Sequence, residues 1–406
     1  MNIIVASNTC SKEMYSDVFE IRKEKFIDPS QKFLEQIISG IAKNEDSTVL
    51  ALSSLPVSAS TCNKHIFKKR VEYSNGVKYI YQFFINGKFS RYITTFLSTL
   101  YNMLLTVRKM QNDNTVIICD ALVPEVAFAA RMVGRTFHIK TIAIVTDIPF
   151  WATDMKQRKQ SILKKKAIAF YERFSSRELE KYDAYIFITN YMNNLINKKN
   201  KPYIVIEGSI EVPNDNNILY NKTHGKIVMY AGGVYKKYGV EKLVKAFTKA
   251  NIPDCELHIY GSGSYVQELE NECRITPRIK YKGCVLNTEL IKLEGNATLL
   301  VNPRNTDEIY TKYSFPSKTL EYMSSGTPVL TTQLLGIPKE YNEYLYFFEN
   351  EDIDGMAQSL KKTLEKPLDE LESMGSAARA FALEYKNNIV QGKSIMNFIC
   401  EELLCK

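Results

Sequence analysis

The sequence has no apolar run long enough to cross a membrane, and its first residues, MNIIVASNTC, lack the basic start and long apolar core of a signal peptide. Its eight cysteines are scattered singly, with no C-x-x-C pair and no cysteine–histidine cluster at zinc-ligand spacing. These absences argue against secretion, a membrane span and a metal centre. We therefore expect a cytoplasmic protein with reduced thiols and without a metal or other cofactor.

A dinucleotide fingerprint is also missing. The opening strand is not followed by G-x-G-x-x-G and its acidic partner, which argues against a nicotinamide dehydrogenase. The net charge of +8 is modest for 406 residues. It favours phosphate-bearing or anionic-membrane partners but is also common in lysine-rich proteins, and we expect no nucleic-acid partner.

The length exceeds the roughly 250–300 residues of a single hydrophobic core, so two domains are expected. In the first half, compact apolar strands alternate with helical stretches, which predicts right-handed βαβ units in a parallel sheet. The predicted strands are MNIIVAS, STVLALSS, NTVIICDA, KTIAIVTD and DAYIFIT.

The same alternation restarts after a polar, turn-rich segment at 213–217. Its predicted strands are KIVMYAGG, ELHIYGSG, IKYKG, ATLLVNP and TPVLTT. We therefore predict an α/β protein with two doubly wound, Rossmann-like domains that face each other across a cleft. The predicted bounds are 1–205, 206–380 and a terminal helical segment, 381–406, that packs back on the first domain.

The stretch YSFPSKTLEYMSSGTPVLTT, residues 313–332, carries the most chemical information. Pro316 suits the first turn of a helix, and Gly326 followed by Pro328 suits its end. The N–H groups at such a helix start, near Ser317, are suited to phosphate oxygens. Glu321, further into this helix, could accept hydrogen bonds from a ribose diol. Lys318 is a candidate for the phosphate, or alternatively an ion-pair partner of Glu321.

This stretch resembles the C-terminal signature of glycosyltransferase family four, retaining enzymes with the GT-B fold, in its FPSK…EY…GTPV branch. The similarity extends over most of 226–367. By position, Glu321 matches the second glutamate of the family's E-x7-E motif, which the resemblance assigns to the nucleotide ribose. Tyr313 stands where the first glutamate is expected, a departure that we interpret as a trait of this branch rather than as loss of activity. The usual glutamate contact to the sugar hydroxyls is therefore not assigned, and Asp307 or Glu308 is a candidate to replace it.

The loop YAGGVYKKYG follows the first strand of the second domain. Gly232 and Gly233 leave room for a diphosphate to approach the backbone. The resemblance places an arginine at Gly233 and a lysine at Tyr238, and neither is present. Lys236 or Lys237 could replace these cations, as could Arg304 in VNPR; the alternative is that they are solvated loop residues.

Further glycines follow the next strands of the second domain. Gly261 and Gly263, in YGSGSYV, and Gly283, in YKGCV, resemble loops that bind the nucleotide in the family. The alternative is that each is an ordinary turn glycine.

Asp147, in AIVTDIPFW, follows a strand of the first domain. It is preceded by Thr146, so that this sequence has Thr-Asp where the family often has His-Asp. We predict that it contacts the donor sugar or the acceptor hydroxyl; the alternative is a helix N-cap. We expect the acceptor region around 29–33 in the first domain. The basic segment 155–174 could lie on anionic lipid or be a solvated helix face.

Taken together, these residues predict a sugar transferase that uses a nucleotide-sugar donor and a glycan acceptor. The resemblance implies that the acceptor glycan is carried on a polyprenyl lipid. The resemblance implies retention at the anomeric carbon and a role in surface polysaccharide synthesis at the inner face of the membrane. A sugar-nucleotide epimerase with the same fold and a non-catalytic partner of an active transferase remain alternatives.

Overall fold

The computed structural model describes residues 1–23, 29–44, 47–110, 114–148, 173, 176–212 and 226–405. They form two units: Met1–Ser209 with Asn388–Lys406, and Ile210–Asn387. The unit boundaries therefore fall at 209/210 and 387/388, compared with the predicted 205/206 and 380/381. The helix that crosses position 380 stays in the second unit because Ala378, Phe381 and Ala382 pack into that unit's core.

The main sheet of the first unit has, in the described residues, eight strands in the order β10-β9-β8-β7-β1-β2-β5-β4. All neighbours are parallel except β4 and β5, which form a hairpin. The strands are β1 (Asn2–Ser7), β2 (Thr48–Ser53), β4 (Arg70–Ser74), β5 (Val77–Tyr81), β7 (Thr115–Asp120), β8 (Lys140–Val145), β9 (Ala184–Phe187) and β10 (Tyr203–Val205). A separate two-stranded ribbon pairs β3 (Ile66–Phe67) with β6 (Phe84–Ile85). The five strands predicted in this half are all present.

Helices cover the sheet of the first unit. They are α1 (Lys12–Ile21), α2 (Pro29–Ala42), α3 (Ser90–Lys109), α4 (Pro124–Thr136), α5 (Asn190–Ile196) and the C-terminal α12 (Asn388–Ile399). The last of these packs on α2 at two glycines: a Cβ on Gly40 would lie 1.8 Å from the carbonyl oxygen of Asn388, and one on Gly392 would lie 2.3 Å from the backbone of Gly40. The missing side chains let the two helix backbones meet.

The second unit contains a six-stranded sheet of the described residues, ordered β13-β12-β11-β14-β15-β16, with every neighbour parallel. The strands are β11 (Lys226–Ala231), β12 (Cys255–Tyr260), β13 (Ile279–Gly283), β14 (Leu299–Asn302), β15 (Val329–Thr331) and β16 (Tyr346–Phe347). The helices are α6 (Val240–Ala250), α7 (Val266–Ile275), α8 (Asn287–Asn296), α9 (Ser317–Ser325), α10 (Ile353–Leu364) and α11 (Leu368–Tyr385). Both units are doubly wound α/β layers, as the alternating pattern predicts.

The described part of the chain has no helix both long enough and apolar enough to cross a bilayer.

Candidate functional site

Three loops interlock at the carboxyl ends of β11, β12 and β13 in the second unit. The N–H of Gly232 donates to the carbonyl of Tyr260 at 3.0 Å, and the N–H of Gly261 donates to the carbonyl of Gly283 at 2.8 Å. The N–H of Val234 donates to Ser262 at 2.8 Å. Backbone hydrogen bonds therefore connect all the candidate glycine loops to one another.

At two of these glycines the neighbouring loop leaves no room for a side chain. A Cβ on Gly261, which has a φ of +125°, would lie 1.8 Å from the carbonyl oxygen of Gly232. A Cβ on Gly263 would lie 2.1 Å from the carbonyl oxygen of Val234. Close backbone packing thus explains both residues without a ligand. Gly283 differs, because its φ is +68° but a Cβ there would meet no described atom within 4 Å.

Tyrosine rings surround the first of these loops. A Cβ on Gly233 would lie 2.9 Å from the rings of Tyr235 and Tyr238, and one on Gly232 would lie 2.9 Å from the hydroxyl of Tyr230. That hydroxyl donates to the carbonyl of Gly233 at 2.9 Å. The tyrosine rings therefore pack beside the loop, and the Tyr230 hydroxyl also holds the loop backbone by a hydrogen bond.

The structure separates the two adjacent lysines of this loop. Lys236 faces acidic side chains, with its Nζ 2.5 Å from Glu268 and 3.8 Å from Glu241. Lys237 instead lies with its Nζ 5.4 Å from the ring centre of Tyr238. The guanidinium of Arg304 is 4.9 Å from the same ring. Two candidate cations thus converge on the tyrosine that occupies the family's lysine position.

Arg304 follows β14 and is brought to this loop by close backbone packing. A Cβ on Gly239, with a φ of +80°, would lie 1.7 Å from the carbonyl oxygen of Pro303. Among the described residues, no carboxylate forms an ion pair with Arg304. Its positive charge can therefore act on an anionic ligand.

Helix α9 begins at the same edge of the sheet. Its N-cap is Pro316, and no described side chain caps this end. Asn302, at the end of β14, donates from Nδ2 to the hydroxyl of Thr319 at 3.1 Å. The Tyr322 hydroxyl accepts from the N–H of Ala231 at 2.8 Å and donates to its carbonyl at 3.0 Å. These bonds fix the helix start, including the exposed Ser317, beside the ends of β11 and β14.

Lys318 forms an ion pair within α9 and has a second acidic neighbour that the sequence analysis missed. Its Nζ donates to Glu321 at 2.6 Å and lies 3.9 Å from the carboxylate of Glu294 in α8. Glu294 is 3% exposed and Lys318 is 31% exposed. Burial lowers the pKa of Lys318, but the attraction of Glu321 and Glu294 outweighs it, so its pKa is raised. This geometry favours the ion-pair alternative for Lys318.

The region of the missing first glutamate is a 3-10 turn, Ile309–Tyr313. The Nζ of Lys312 lies 4.8 Å from the ring centre of Tyr313. The carbonyl of Glu308 accepts from the N–H and the hydroxyl of Thr311, at 2.9 and 2.7 Å. Asp307 is exposed in the preceding loop. A cationic and aromatic pair therefore stands where the family has a carboxylate.

Asp147 belongs to the first unit, two residues after β8. Its Oδ1 accepts the N–H of Ile148 at 2.7 Å. Burial of part of the carboxylate raises its pKa, and the Ile148 hydrogen bond opposes that rise. Near the predicted acceptor region, Gln31 is buried and donates to Asn8, so it serves the packing of α2. The basic segment 155–174, apart from Arg173, and the linker 213–217 lie outside the described residues.

Comparison with known proteins supports the fold. Residues 212–381 match the family model for glycosyl transferases group 1. No curated protein sequence matches the chain. Sucrose-phosphate synthase from Thermosynechococcus elongatus is 14% identical with a TM-score of 0.63, and 100% of each chain is covered.

Two other solved structures are similar over nearly their whole length. The UDP-forming trehalose-phosphate synthase of Burkholderia xenovorans, in complex with glucose-6-phosphate, is 13% identical with a TM-score of 0.63, covering 98% of this chain and 99% of that one. HepE of Anabaena, in complex with UDP, is 12% identical with a TM-score of 0.61, covering 98% and 100%. The chain therefore has the GT-B fold, and most of its second unit matches the model for group 1 glycosyl transferases. Membership of family four stays a prediction.

Proposed function

We propose that this protein transfers a sugar from a nucleotide-sugar donor to a hydroxyl of a glycan acceptor, with retention at the anomeric carbon as in family four. One observation carries the proposal. At one edge of the second unit's sheet, α9 begins without a side-chain cap from the described residues, and the cations Lys237 and Arg304 lie at the same edge. The group 1 match over 212–381 supports it. The complex of HepE with UDP is consistent with a nucleotide donor.

The reaction requires a site that stabilises a departing diphosphate. Negative charge grows on the phosphate as the anomeric C–O bond breaks, and oriented N–H groups and cations lower the barrier most when they are already in place. The backbone N–H groups at Ser317 and Lys318 and the charges of Arg304 and Lys237 are suited to this task. Loss of one such donor from a preorganised site typically costs a factor of about 10²–10³ in rate.

Glu321 is the residue we assign to the ribose of the donor. Its carboxylate is held by Lys318 at 2.6 Å, and Lys318 is in turn near the buried Glu294. We propose that Lys318 orients Glu321 rather than meeting the diphosphate itself, because two carboxylates already share its charge. The pair would present one fixed carboxylate edge to the ribose diol.

For the acceptor, we propose that Asp147 contacts the incoming hydroxyl or the donor sugar. A lipid-linked glycan at the inner face of the membrane, in surface polysaccharide synthesis, is the acceptor we propose. The basic segment 155–174 is a candidate for contact with that membrane.

The test compares thermal stabilisation by UDP, GDP, ADP and CMP sugars in the wild type and in Glu321→Ala. A ligand at about 100 times its dissociation constant stabilises the folded state by about 2.7 kcal/mol. We expect one nucleotide class to raise the melting temperature of the wild type and to lose that effect in Glu321→Ala. Glu370→Ala is a matched control, since it breaks a surface ion pair with Lys366.

Failure of every nucleotide to stabilise well-folded protein would overturn the donor-site assignment. Binding without transfer or donor hydrolysis would instead favour the non-catalytic partner, for which the substitutions at Tyr313 and Gly233 are the sequence observations. Interconversion of two sugar nucleotides without an acceptor would favour the epimerase.

A further inference from the structure

Helix α3 of the first unit buries several polar residues and exposes large apolar ones. Its buried residues are the polar Thr95, Thr99, Asn102 and Thr106 and the apolar Met103 and Val107. Its outer face carries large apolar side chains at four-residue spacing, namely Ile93, Leu97, Tyr101 and Leu105, which are 60%, 55%, 62% and 37% exposed. At 100° per residue these four fall within an arc of about 120°. A helix of a soluble domain normally has the opposite arrangement.

The β3–β6 ribbon extends this exposed apolar surface. On the inner side of the ribbon Phe67 and Phe84 stack with ring centres 4.6 Å apart. On the outer side Ile66 and Ile85 are directly paired and both exposed. The N–H of Ile85 donates to the hydroxyl of Thr94 at 3.0 Å, which ties the ribbon to α3.

We call the combined area the α3 apolar surface. It consists of Ile66, Ile85, Phe89, Ile93, Leu97, Tyr101 and Leu105. Single exposed apolar residues are normal on proteins, but a contiguous group of this kind marks a binding surface.

Basic residues predominate in the stretch of sequence that carries this surface. Between Asp46 and Asp113 the sequence contains nine basic residues and a single acidic one, Glu72. Glu72 is 14% exposed and lies 3.5 Å from Arg70. Arg91 of α3 lies 4.0 Å from Glu125 of α4, but both side chains are largely buried. The exposed basic residues include Lys64, Lys68, Lys69, Lys88, Arg108 and Lys109. The last two end α3 itself, beyond Leu105 on the same helix.

We propose that the α3 apolar surface docks on an anionic lipid bilayer, with α3 lying in the plane of the interface. Leucine, isoleucine and phenylalanine side chains would enter the boundary between headgroups and acyl chains, tyrosine would sit at headgroup level, and the basic residues would meet anionic headgroups. A second copy of the chain is a poorer occupant, because a two-fold contact would bring the same cationic rim against itself.

This inference rests on the proposed function in one respect: the proposed function supplies the reason for docking, which is access to a lipid-linked acceptor. Its test therefore needs no sugar donor. Full-length protein is sedimented with vesicles of phosphatidylcholine alone or mixed with phosphatidylglycerol. The wild type should bind the mixed vesicles and leave the neutral ones largely unbound, with binding lost in high salt.

Two sets of variants locate the contact. Ile93→Ser/Leu97→Ser should reduce binding to anionic vesicles at least tenfold, whereas Ile275→Ser/Leu286→Ser, exposed apolar residues of the second unit, should leave it unchanged. Arg108→Glu/Lys109→Glu should weaken it by roughly fivefold or more for each charge, with Lys198→Glu/Lys199→Glu as the matched control. Circular dichroism and melting temperature check that each variant is folded.

Several outcomes would overturn the inference. Absence of binding to anionic vesicles, or equal binding to neutral ones, would remove the lipid partner. Unchanged binding by the folded Ile93→Ser/Leu97→Ser variant would move the contact elsewhere, with the segment 155–174 as the next candidate. A wild-type dimer in sedimentation equilibrium that the same substitutions make monomeric would identify a second copy as the occupant.

Discussion

Gly261→Ala and Gly283→Ala form a matched pair that tests why the second unit has glycine at these loops. Both residues have positive φ, but their surroundings differ. An added Cβ at Gly261 would lie 1.8 Å from the carbonyl oxygen of Gly232, about 1.2 Å inside the 3.0 Å limit for such contacts. The loop cannot retreat freely, because the N–H of Gly232 is bonded to Tyr260 at 3.0 Å. At Gly283 the added atom meets no described neighbour within 4 Å.

The expected cost follows from this difference. The left-handed φ of +68° at Gly283 costs an L-residue roughly 1–2 kcal/mol, and the φ of +125° at Gly261, outside the left-handed helical region, costs at least as much. At Gly261 one or two backbone hydrogen bonds are also broken or left unsatisfied, at about 1–3 kcal/mol each. We therefore expect Gly261→Ala to lose roughly 3–5 kcal/mol and Gly283→Ala only about 1–2 kcal/mol. For a unit of this size, that is a fall in melting temperature of roughly 6–20 °C against about 2–8 °C.

Calorimetry of the full-length variants measures both values. The reasoning is refuted if Gly261→Ala melts within about 2 °C of the wild type, or if Gly283→Ala loses as much as Gly261→Ala. Repeating the scan with the stabilising nucleotide separates binding from folding. If the nucleotide base lies against the open backbone at Gly283, Gly283→Ala loses the ligand-induced shift in melting temperature although its own stability falls only slightly.

Two further predictions concern charge. Arg304→Ala should weaken binding of the nucleoside diphosphate about tenfold or more, as expected for loss of a hydrogen bond to a charged group. Lys236→Ala, which removes the contacts of this lysine with Glu268, Glu241 and the Tyr265 ring, should leave that binding unchanged. Titration calorimetry measures both variants, and equal effects would contradict the assignment. The pKa of Asp147 is higher in the folded protein than in the unfolded chain, where it is about 3.9. Its contribution to stability is therefore present below the unfolded-state pKa and is lost as the pH rises through the folded-state pKa. Asp147→Asn should therefore gain stability relative to the wild type between acid and neutral pH while losing transfer activity; a melting-temperature difference that is constant with pH would contradict the shift.

The parallel strands of both units are predictable from the sequence because each is a short run of Ile, Val and Leu buried on both faces. The β4–β5 hairpin was missed, since its edge strand β4 is mostly exposed or half-buried and lacks such a run. A signal was present in Asn75-Gly76, whose φ values of 49° and 77° suit a two-residue hairpin turn. The terminal helical segment predicted at 381–406 belongs to two helices: α11 ends at Tyr385 and α12 begins at Asn388. Between them, the carbonyl of Lys386 accepts the N–H of Ile210.

At the site, sequence proximity could not separate Lys236 from Lys237. The two are neighbours in one 3-10 turn, and it is the tertiary positions of Glu241 and Glu268 that give Lys236 its acidic partners. Glu294 was missed for the same reason: it lies 24 residues before Lys318 and is brought to it by the packing of α8 against α9. Motif position identifies a residue's chain neighbours, whereas its charge environment depends on tertiary contacts.

The departures from the family pattern fall on side chains, while the backbone of the site is fixed by contacts within the second unit. Gly232, Gly261 and Gly283 are joined by backbone hydrogen bonds, and α9 is joined to β11 through Tyr322. Backbone dipoles fixed in this way need little reorganisation when a diphosphate binds, so their contribution does not depend on the absent arginine and lysine. What the substitutions at Gly233 and Tyr238 change is the source of positive charge, which here can come from Lys237 and Arg304 around the Tyr238 ring. The choice between an active transferase and a non-catalytic partner therefore depends on these two cations more than on the missing glutamate at Tyr313.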